Sequence, residues 1–104
     1  MKTIQVYQSE LDKEIPLEYV GKVKYIGPDD PLSFVNNGEY NIVFDENNTL
    51  KVVDETEEDY VYILNEPNKL GGKFFYIDDP REILKNYMER YKEWRSWKIW
   101  RTWY

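Results

Sequence analysis

The sequence predicts a mainly β protein, in which a small antiparallel barrel precedes a C-terminal helix. Three observations lead to this prediction. The chain of 104 residues fits one domain with one core, so residues 1–104 are read as a single domain. From residue 22 onward, short alternating runs of apolar and polar residues are separated by turn residues, which is the pattern of an antiparallel sheet. Near residue 80 the apolar spacing changes to three and four, as on a helix.

The alternating runs predict five strands, at residues 23–26, 40–44, 49–53, 60–64 and 73–77. Two prolines and a glycine within residues 27–31 end the first strand and force an irregular loop. The second and third strands form a hairpin, because the asparagines in residues 45–48 tolerate left-handed backbone. The acidic residues 54–59 make the next turn. Ile4, Val6 and residues 15–17 are candidates for a sixth strand at an edge.

The helix is predicted over residues 80–95. Asp79 followed by Pro80 is typical of a helix start, because an Asp side chain caps the first turn and the fixed φ of proline suits the first helical position. The apolar stripe of this segment is predicted to pack on the barrel and consists of Ile83, Leu84, Tyr87, Met88 and Tyr91. The barrel itself covers residues 22–77, and residues 96–104 form a tryptophan-rich aromatic tail after the helix.

The composition argues against most enzyme classes. The chain has no cysteine and no histidine, which removes thiolate nucleophiles, the usual general base near neutral pH and most transition-metal ligands. We therefore predict that the protein is not an enzyme and holds no cofactor and no metal. The N-terminus lacks the apolar run of a signal peptide, and no stretch approaches the ~20 apolar residues that cross a bilayer, so a cytoplasmic protein is predicted.

Charge is distributed unevenly along the chain. Residues 1–28 are neutral overall, residues 29–66 carry one basic and eleven acidic groups for a net charge of −10, and residues 67–104 carry nine basic and five acidic groups. The acidic middle repels phosphates and attracts surfaces rich in lysine and arginine. The predicted partner is a protein with a basic surface, and direct binding of nucleic acid or a membrane is disfavoured.

The acidic turn and its flanking strands resemble a known group of proteins. Residues 53–62 read Val-Asp-Glu-Thr-Glu-Glu-Asp-Tyr-Val-Tyr, and residues 38–40 read Gly-Glu-Tyr. Over residues 22–77 the chain resembles small SH3-like proteins common in Firmicutes and their phages, which read G-K-x-Y and then V-x-D-E-x-G-E-D-Y-L-Y. The resemblance implies a five- or six-stranded SH3-like barrel and a mobile-element origin, and it supplies no functional residues. Glu39 replaces the usual lysine, and Glu57 replaces a glycine that makes the turn.

The first candidate site is the acidic turn, whose predicted partner-binding residues are Asp54, Glu55, Glu57, Glu58 and Asp59. A calcium loop that starts at Asp45 would need glycine at its sixth position and glutamate at its twelfth, where Leu50 and Thr56 stand. Paired carboxylates can cleave glycosides, but a hairpin turn offers no cleft for the substrate. Two interpretations remain: a solvated turn that discourages edge-to-edge strand pairing, or a negatively charged surface that binds a basic partner.

Tyrosines of the barrel are a second group of interest. They could line a groove for an extended proline-rich peptide, and they are Tyr25, Tyr40, Tyr60 and Tyr62. Strand alternation places Tyr60 and Tyr62 on one face and Val61 and Ile63 on the other. Because valine and isoleucine suit the interior better, we expect the tyrosine pair to point outward or to lie beneath the helix.

The tail is the second candidate site, and its predicted partner-binding residues are Trp97, Trp100, Arg101 and Trp103. Its tryptophans recur every three residues, a step that spirals around an α-helix and forms no single face. Three interpretations stay open. The tail folds back on the barrel with cationic stems over the rings, or inserts tryptophans into a partner or a second copy, or contacts nucleic acid or a membrane surface. The few cations and the acidic barrel disfavour the last.

These observations predict a non-enzymatic protein-binding protein. In its specific form, the protein is a phage or mobile-element inhibitor whose acidic hairpin face imitates nucleic-acid charge and occupies a basic groove of a host defence protein, as some anti-CRISPR proteins do. The alternative is a structural or assembly protein that forms a homo-oligomer through its tryptophan-rich tail.

Overall fold

The computed structural model describes residues 2–91, which form one curled antiparallel sheet and one short C-terminal helix. The strands are β1 (Thr3–Gln8), β2 (Lys13–Ile26), β3 (Glu39–Phe44), β4 (Leu50–Val53), β5 (Asp59–Tyr60) and β6 (Lys73–Asp78), and the helix α1 covers residues 83–91. The mainly β prediction is confirmed. The predicted aromatic tail and the last residues of the predicted helix lie outside the described residues. No helix within residues 2–91 is long and apolar enough to cross a membrane.

The sheet curls into a half-barrel around β2. Its strand order is β1-β2-β3-β4-β5, and β6 pairs with β2 as well. β2 is 14 residues long and pairs with β1 through residues 13–18, with β3 through residues 18–24 and with β6 through residues 22–26. One strand therefore belongs to every part of the sheet except the β4–β5 end. The sequence predicted the last four residues of this strand and gave residues 15–17 as a candidate for a separate edge strand.

A β-bulge in β2 divides the strand between two hydrophobic clusters. The register against β3 shifts between Tyr19 and Gly21, which makes Val20 an extra residue. One extra residue reverses the alternation of side chains between the two faces of a sheet. Leu17 accordingly lies in a small cluster with β1, whereas Val23 lies in the main core.

Gly21 lets the helix approach the sheet. A Cβ atom at this position would lie 2.4 Å from the carbonyl oxygen of Asp78 and 2.8 Å from Cδ1 of Leu84, so a side chain cannot be accommodated without movement. Leu84 is fully buried and Met88 nearly so, and both belong to the main core. The predicted packing of the helix on the sheet is thus present.

The helix begins three residues later than predicted. Asp79 does cap it, because its two carboxylate oxygens accept hydrogen bonds from the N–H groups of Leu84 and Lys85 at 3.0 and 2.9 Å. Residues from Pro80 onward do not yet form the helix, because Glu82 has a left-handed φ of 56°. The capping residue was predicted correctly, and the start of the helix was not.

The main core is built around Phe34 of the irregular loop. This ring is fully buried, and its centroid lies between 4.6 and 5.5 Å from those of four other rings, which belong to Tyr25, Tyr40, Tyr62 and Phe74. The pairs with Tyr40 and Phe74 are edge-on, and pairs of this kind stabilise a core beyond the area that they bury. Because Tyr25 and Tyr40 are core residues, the predicted tyrosine groove for a proline-rich peptide does not form from them.

Candidate functional site

Asp54, the first residue of the acidic turn, is buried and hydrogen-bonded. Only 5% of its surface is exposed. Its Oδ1 accepts a hydrogen bond from the N–H of Thr56 at 2.9 Å, and its Oδ2 accepts one from the hydroxyl of Tyr62 at 2.7 Å. A carboxylate that bonds to the backbone two residues ahead is a common device for shaping a turn. Asp54 therefore holds the turn and is not available to a partner.

Glu55 is exposed, but its carboxylate is fixed by Tyr40. Its Oε2 accepts a hydrogen bond from the Tyr40 hydroxyl at 2.8 Å, and the same hydroxyl accepts one from the N–H of Val35 at 2.8 Å. Burial raises the pKa of Tyr40 to about 12; the Val35 N–H opposes this effect, and the bond to Glu55 adds to it. The phenol therefore remains a hydrogen-bond donor to Glu55 at neutral pH.

Glu58 and Asp59 connect the acidic turn to the β1–β2 hairpin. The Oε1 of Glu58 accepts a hydrogen bond from the N–H of Ser9 at 2.6 Å, and this bond lowers the pKa of Glu58. The Oδ1 of Asp59 accepts a hydrogen bond from Nε2 of Gln8 at 2.8 Å, while its Oδ2 lies 3.6 Å from Nζ of Lys51. Both carboxylates are held in place by residues about 50 positions away in the sequence.

Glu57 differs from the other four acidic residues. Its side chain is exposed and makes no hydrogen bond or ion pair within residues 2–91. Its φ of 68° is left-handed, a conformation that costs about 1–2 kcal/mol for a residue with a Cβ atom. Glu57 therefore occupies a turn position that glycine would fill without strain.

The five predicted acidic residues are close together, and four of them have partners inside the fold. No signal in the sequence indicated these partners, because Gln8 and Ser9 belong to a separate hairpin and Tyr40 belongs to another strand. The predicted tail residues Trp97, Trp100, Arg101 and Trp103 lie outside the described residues, as does the proposed self-association through residues 96–104. Within the described part of the chain, the acidic turn is the one predicted site whose geometry can be stated.

The segment after β5 has the opposite orientation from the one expected. Val61 is 67% exposed and Ile63 is 49% exposed, whereas Leu64 is buried and Tyr62 packs on the core. Of the predicted strand 60–64, only Tyr60 pairs with a neighbouring strand. Tyr62 faces inward because its ring packs 4.6 Å from that of Phe34 and its hydroxyl has a buried partner. The expectation that Val61 and Ile63 lie in the interior is wrong, and Tyr62 does not point outward.

A groove with a volume of about 900 Å³ lies beside this segment. We call it the 61–72 groove, because it is lined by residues of that segment together with Asp30 and Ser33 of the irregular loop. Leu70, in its lining, is 81% exposed. The N–H groups of residues 61–63 make no backbone hydrogen bond within residues 2–91. The groove thus combines exposed apolar side chains with unpaired backbone donors.

No group of three or more acidic residues within residues 2–91 is placed to hold a metal ion. No family model, no curated protein and no solved structure matches this chain. The interpretation of the site therefore depends on its own geometry and charge.

Proposed function

We propose that the protein is a non-enzymatic protein-binding protein, with the SH3-like architecture that the sequence resemblance implies, and that its acidic turn binds the basic surface of a partner. The observation that carries this proposal is the fixed orientation of two exposed or partly exposed carboxylates, those of Glu55 and Glu58. Side chains that are already immobilised lose less conformational entropy on binding than mobile ones, so the turn is organised for association before a partner arrives.

Charge favours the same conclusion. Residues 29–66 carry a net charge of −10, and such a concentration of one sign accelerates encounter with a surface of opposite sign. In the specific form of the proposal, the partner surface normally binds nucleic acid. The protein is then a phage or mobile-element inhibitor of a host defence protein, comparable to anti-CRISPR proteins, and its binding excludes nucleic acid from the same groove.

The test is a variant that removes charge from the turn and keeps its hydrogen bonds. Lysine at Glu55 or Glu58 would remove the acceptors of Tyr40 and Ser9, so loss of binding could reflect a distorted turn. Glutamine keeps an acceptor oxygen, and the test variant is therefore Glu55→Gln, Glu57→Gln and Glu58→Gln. The immobilised variant and the wild-type chain are used to capture proteins from a Firmicutes lysate, and the retained proteins are quantified by mass spectrometry.

A matched control removes the same amount of charge elsewhere, through Glu10→Gln, Glu14→Gln and Glu89→Gln, three exposed positions outside the acidic turn. We expect the wild type and the control to retain the same basic protein, the turn variant to lose most of it, and added double-stranded DNA to release it. Equal retention by the turn variant would contradict the proposal. Retention that double-stranded DNA does not affect would contradict the nucleic-acid-mimic form alone.

A further inference from the structure

The described residues leave apolar side chains and backbone N–H groups of the 61–72 groove uncovered. Its rim carries the exposed side chains of Val61, Ile63 and Leu70, and apolar residues gathered in this way mark interaction sites more often than isolated ones do. The unpaired N–H groups of residues 61–63 give it the character of a free sheet edge, which an extended segment can cover by main-chain hydrogen bonds. The groove therefore suits an extended segment that supplies apolar side chains.

The end of the helix α1 lies beside this groove. Nδ2 of Asn65, a residue of the groove lining, donates a hydrogen bond to the carbonyl oxygen of Met88 at 3.3 Å. Residue 91 follows Met88 by three positions, which is about 4.5 Å along a helix axis. Thirteen residues follow it, and an extended chain of that length spans at most about 45 Å. The C-terminal segment is thus tethered next to the groove with ample length to reach along it.

Asn65, which lines the groove beside the end of the helix, supplies a second indication that a further segment binds there. Its Oδ1 is buried and accepts no hydrogen bond from the described residues. A buried acceptor without a partner costs about 1–3 kcal/mol, so such groups are nearly always paired in folded proteins. An indole or backbone N–H from a segment that passes between the helix end and the groove would satisfy this oxygen.

The composition of residues 92–104 matches the groove. All four tryptophans of the chain belong to this segment, together with four basic residues and one acidic residue, Glu93; the basic residues are Lys92, Arg95, Lys98 and Arg101. The charged residues of the groove lining are two acidic residues, Asp30 and Glu66, and one basic residue, Lys69. The large apolar rings of the segment match the apolar rim of the groove, and its net positive charge is opposite in sign to the small net negative charge of the lining.

We propose that the 61–72 groove is the docking site of the chain's own residues 92–104, which bind it in cis. A tethered segment meets its site at an effective concentration of the order of millimolar for a short connection, so it outcompetes a free basic peptide of similar affinity. The proposal is independent of the function proposed above, because it depends on the groove and not on the carboxylates of the acidic turn.

Tryptophan fluorescence of the full chain tests this proposal directly. Residues 2–91 contain no tryptophan, so the emission reports the C-terminal segment alone. We expect the native chain to emit at shorter wavelength than the chain in concentrated urea. The variant Val61→Lys with Ile63→Lys replaces the apolar rim by charges that repel the basic segment, and we expect it to move the emission most of the way to that of the unfolded chain.

The matched control, Gln5→Lys with Leu11→Lys, adds two lysines at exposed positions of the β1–β2 hairpin and is expected to leave the emission unchanged. Far-UV circular dichroism checks that each variant is folded. If the double variant is not folded, Leu70→Lys provides the same test from the other rim of the groove, at a residue with little buried surface.

Three outcomes would overturn the proposal. Native emission equal to that of the unfolded chain would mean that the segment is not docked. Unchanged emission in the groove variants would place its docking site elsewhere. A blue shift that disappears on dilution would show that the occupant of the groove comes from a second copy of the chain.

Discussion

The hydroxyl of Tyr62 donates a hydrogen bond of 2.7 Å to Oδ2 of Asp54, which is buried at the start of the acidic turn. This bond, together with the packing of the Tyr62 ring on Phe34, fixes the orientation of the segment that follows β5. Because Tyr62 turns inward to make it, the neighbouring residues Val61 and Ile63 turn outward and form the rim of the 61–72 groove. One hydrogen bond thus joins the acidic turn to the apolar groove.

Tyr62→Phe is expected to destabilise the protein. The substitution keeps the ring in the core but leaves the buried carboxylate of Asp54 with one donor fewer, a loss of about 1–3 kcal/mol in the free energy of unfolding. Urea denaturation followed by circular dichroism measures it. The control is Tyr60→Phe, since Tyr60 is exposed and its hydroxyl lies 3.4 Å from Glu58; its expected effect is within about 0.5 kcal/mol. Equal effects of the two substitutions would contradict this account.

Glu57→Gly is expected to stabilise the protein. Glycine relieves the left-handed strain at this position, and the gain is partly offset by the greater freedom of glycine in the unfolded chain, which leaves a net increase of about 0.5–1 kcal/mol. Thermal unfolding detects it as a higher Tm. Glu46→Gly removes the same charge from another exposed turn residue whose φ is not positive, and we expect it to lower the Tm. A higher Tm in both variants would mean that the loss of negative charge, and not the relief of backbone strain, stabilises the protein.

Alkaline pH is expected to unfold the protein through its buried tyrosines. Burial, together with nearby carboxylates, raises the pKa from 10.0 to about 12 for three of them, Tyr19, Tyr40 and Tyr62. A pKa raised in the folded state stabilises the fold fully below pH 10, and this contribution is lost as pH rises from 10 towards 12. Ultraviolet absorbance of the phenolate should show two steps, and circular dichroism should change only with the second. A single step near pH 10 with an intact fold would be incompatible with these contacts.

Asp79→Ala is expected to weaken the helix α1. The carboxylate accepts hydrogen bonds from the N–H groups of Leu84 and Lys85, and loss of a cap of this kind lowers the free energy of unfolding by about 0.5–2 kcal/mol. Asp79→Asn keeps one acceptor oxygen and should restore part of the loss. Glu89→Ala, at an exposed helix position, serves as the control and should have almost no effect. The cap would be unimportant if all three variants unfolded at the same urea concentration.

The hairpin of β3 and β4 and the strand β6 were predictable from the sequence because their signals are local. Alternation over residues 40–44, 49–53 and 73–77 identified all three strands to within one residue at each end. The continuity of β2 from residues 15–17 to residues 23–26 was missed because the bulge at Val20 breaks the alternation and shifts the side chains from one cluster to the other. Proline at position 16 further obscures this part of the strand.

The candidate site was predictable only in part. The sequence identified the acidic turn because it is a property of neighbouring residues, and the resemblance to the SH3-like group implied that Glu57 takes the place of a glycine. It gave no indication that Tyr40, Ser9 and Gln8 would bond to the carboxylates of the turn. The exposure of Val61 and Ile63 was predicted wrongly, because residue preference favoured valine and isoleucine for the core.

By itself, then, the sequence determined the mainly β architecture, the charge division between residues 29–66 and the C-terminal part, and the Asp79 cap. These depend on spacing, composition and local backbone preference, which are properties of the chain before it folds. Only the tertiary structure decided which carboxylates of the acidic turn are hydrogen-bonded within the fold, which side chains of residues 61–63 are exposed and where the 61–72 groove lies. Those features arise from side chains far apart in the sequence, and their positions are fixed when Phe34 and its neighbouring rings close the core.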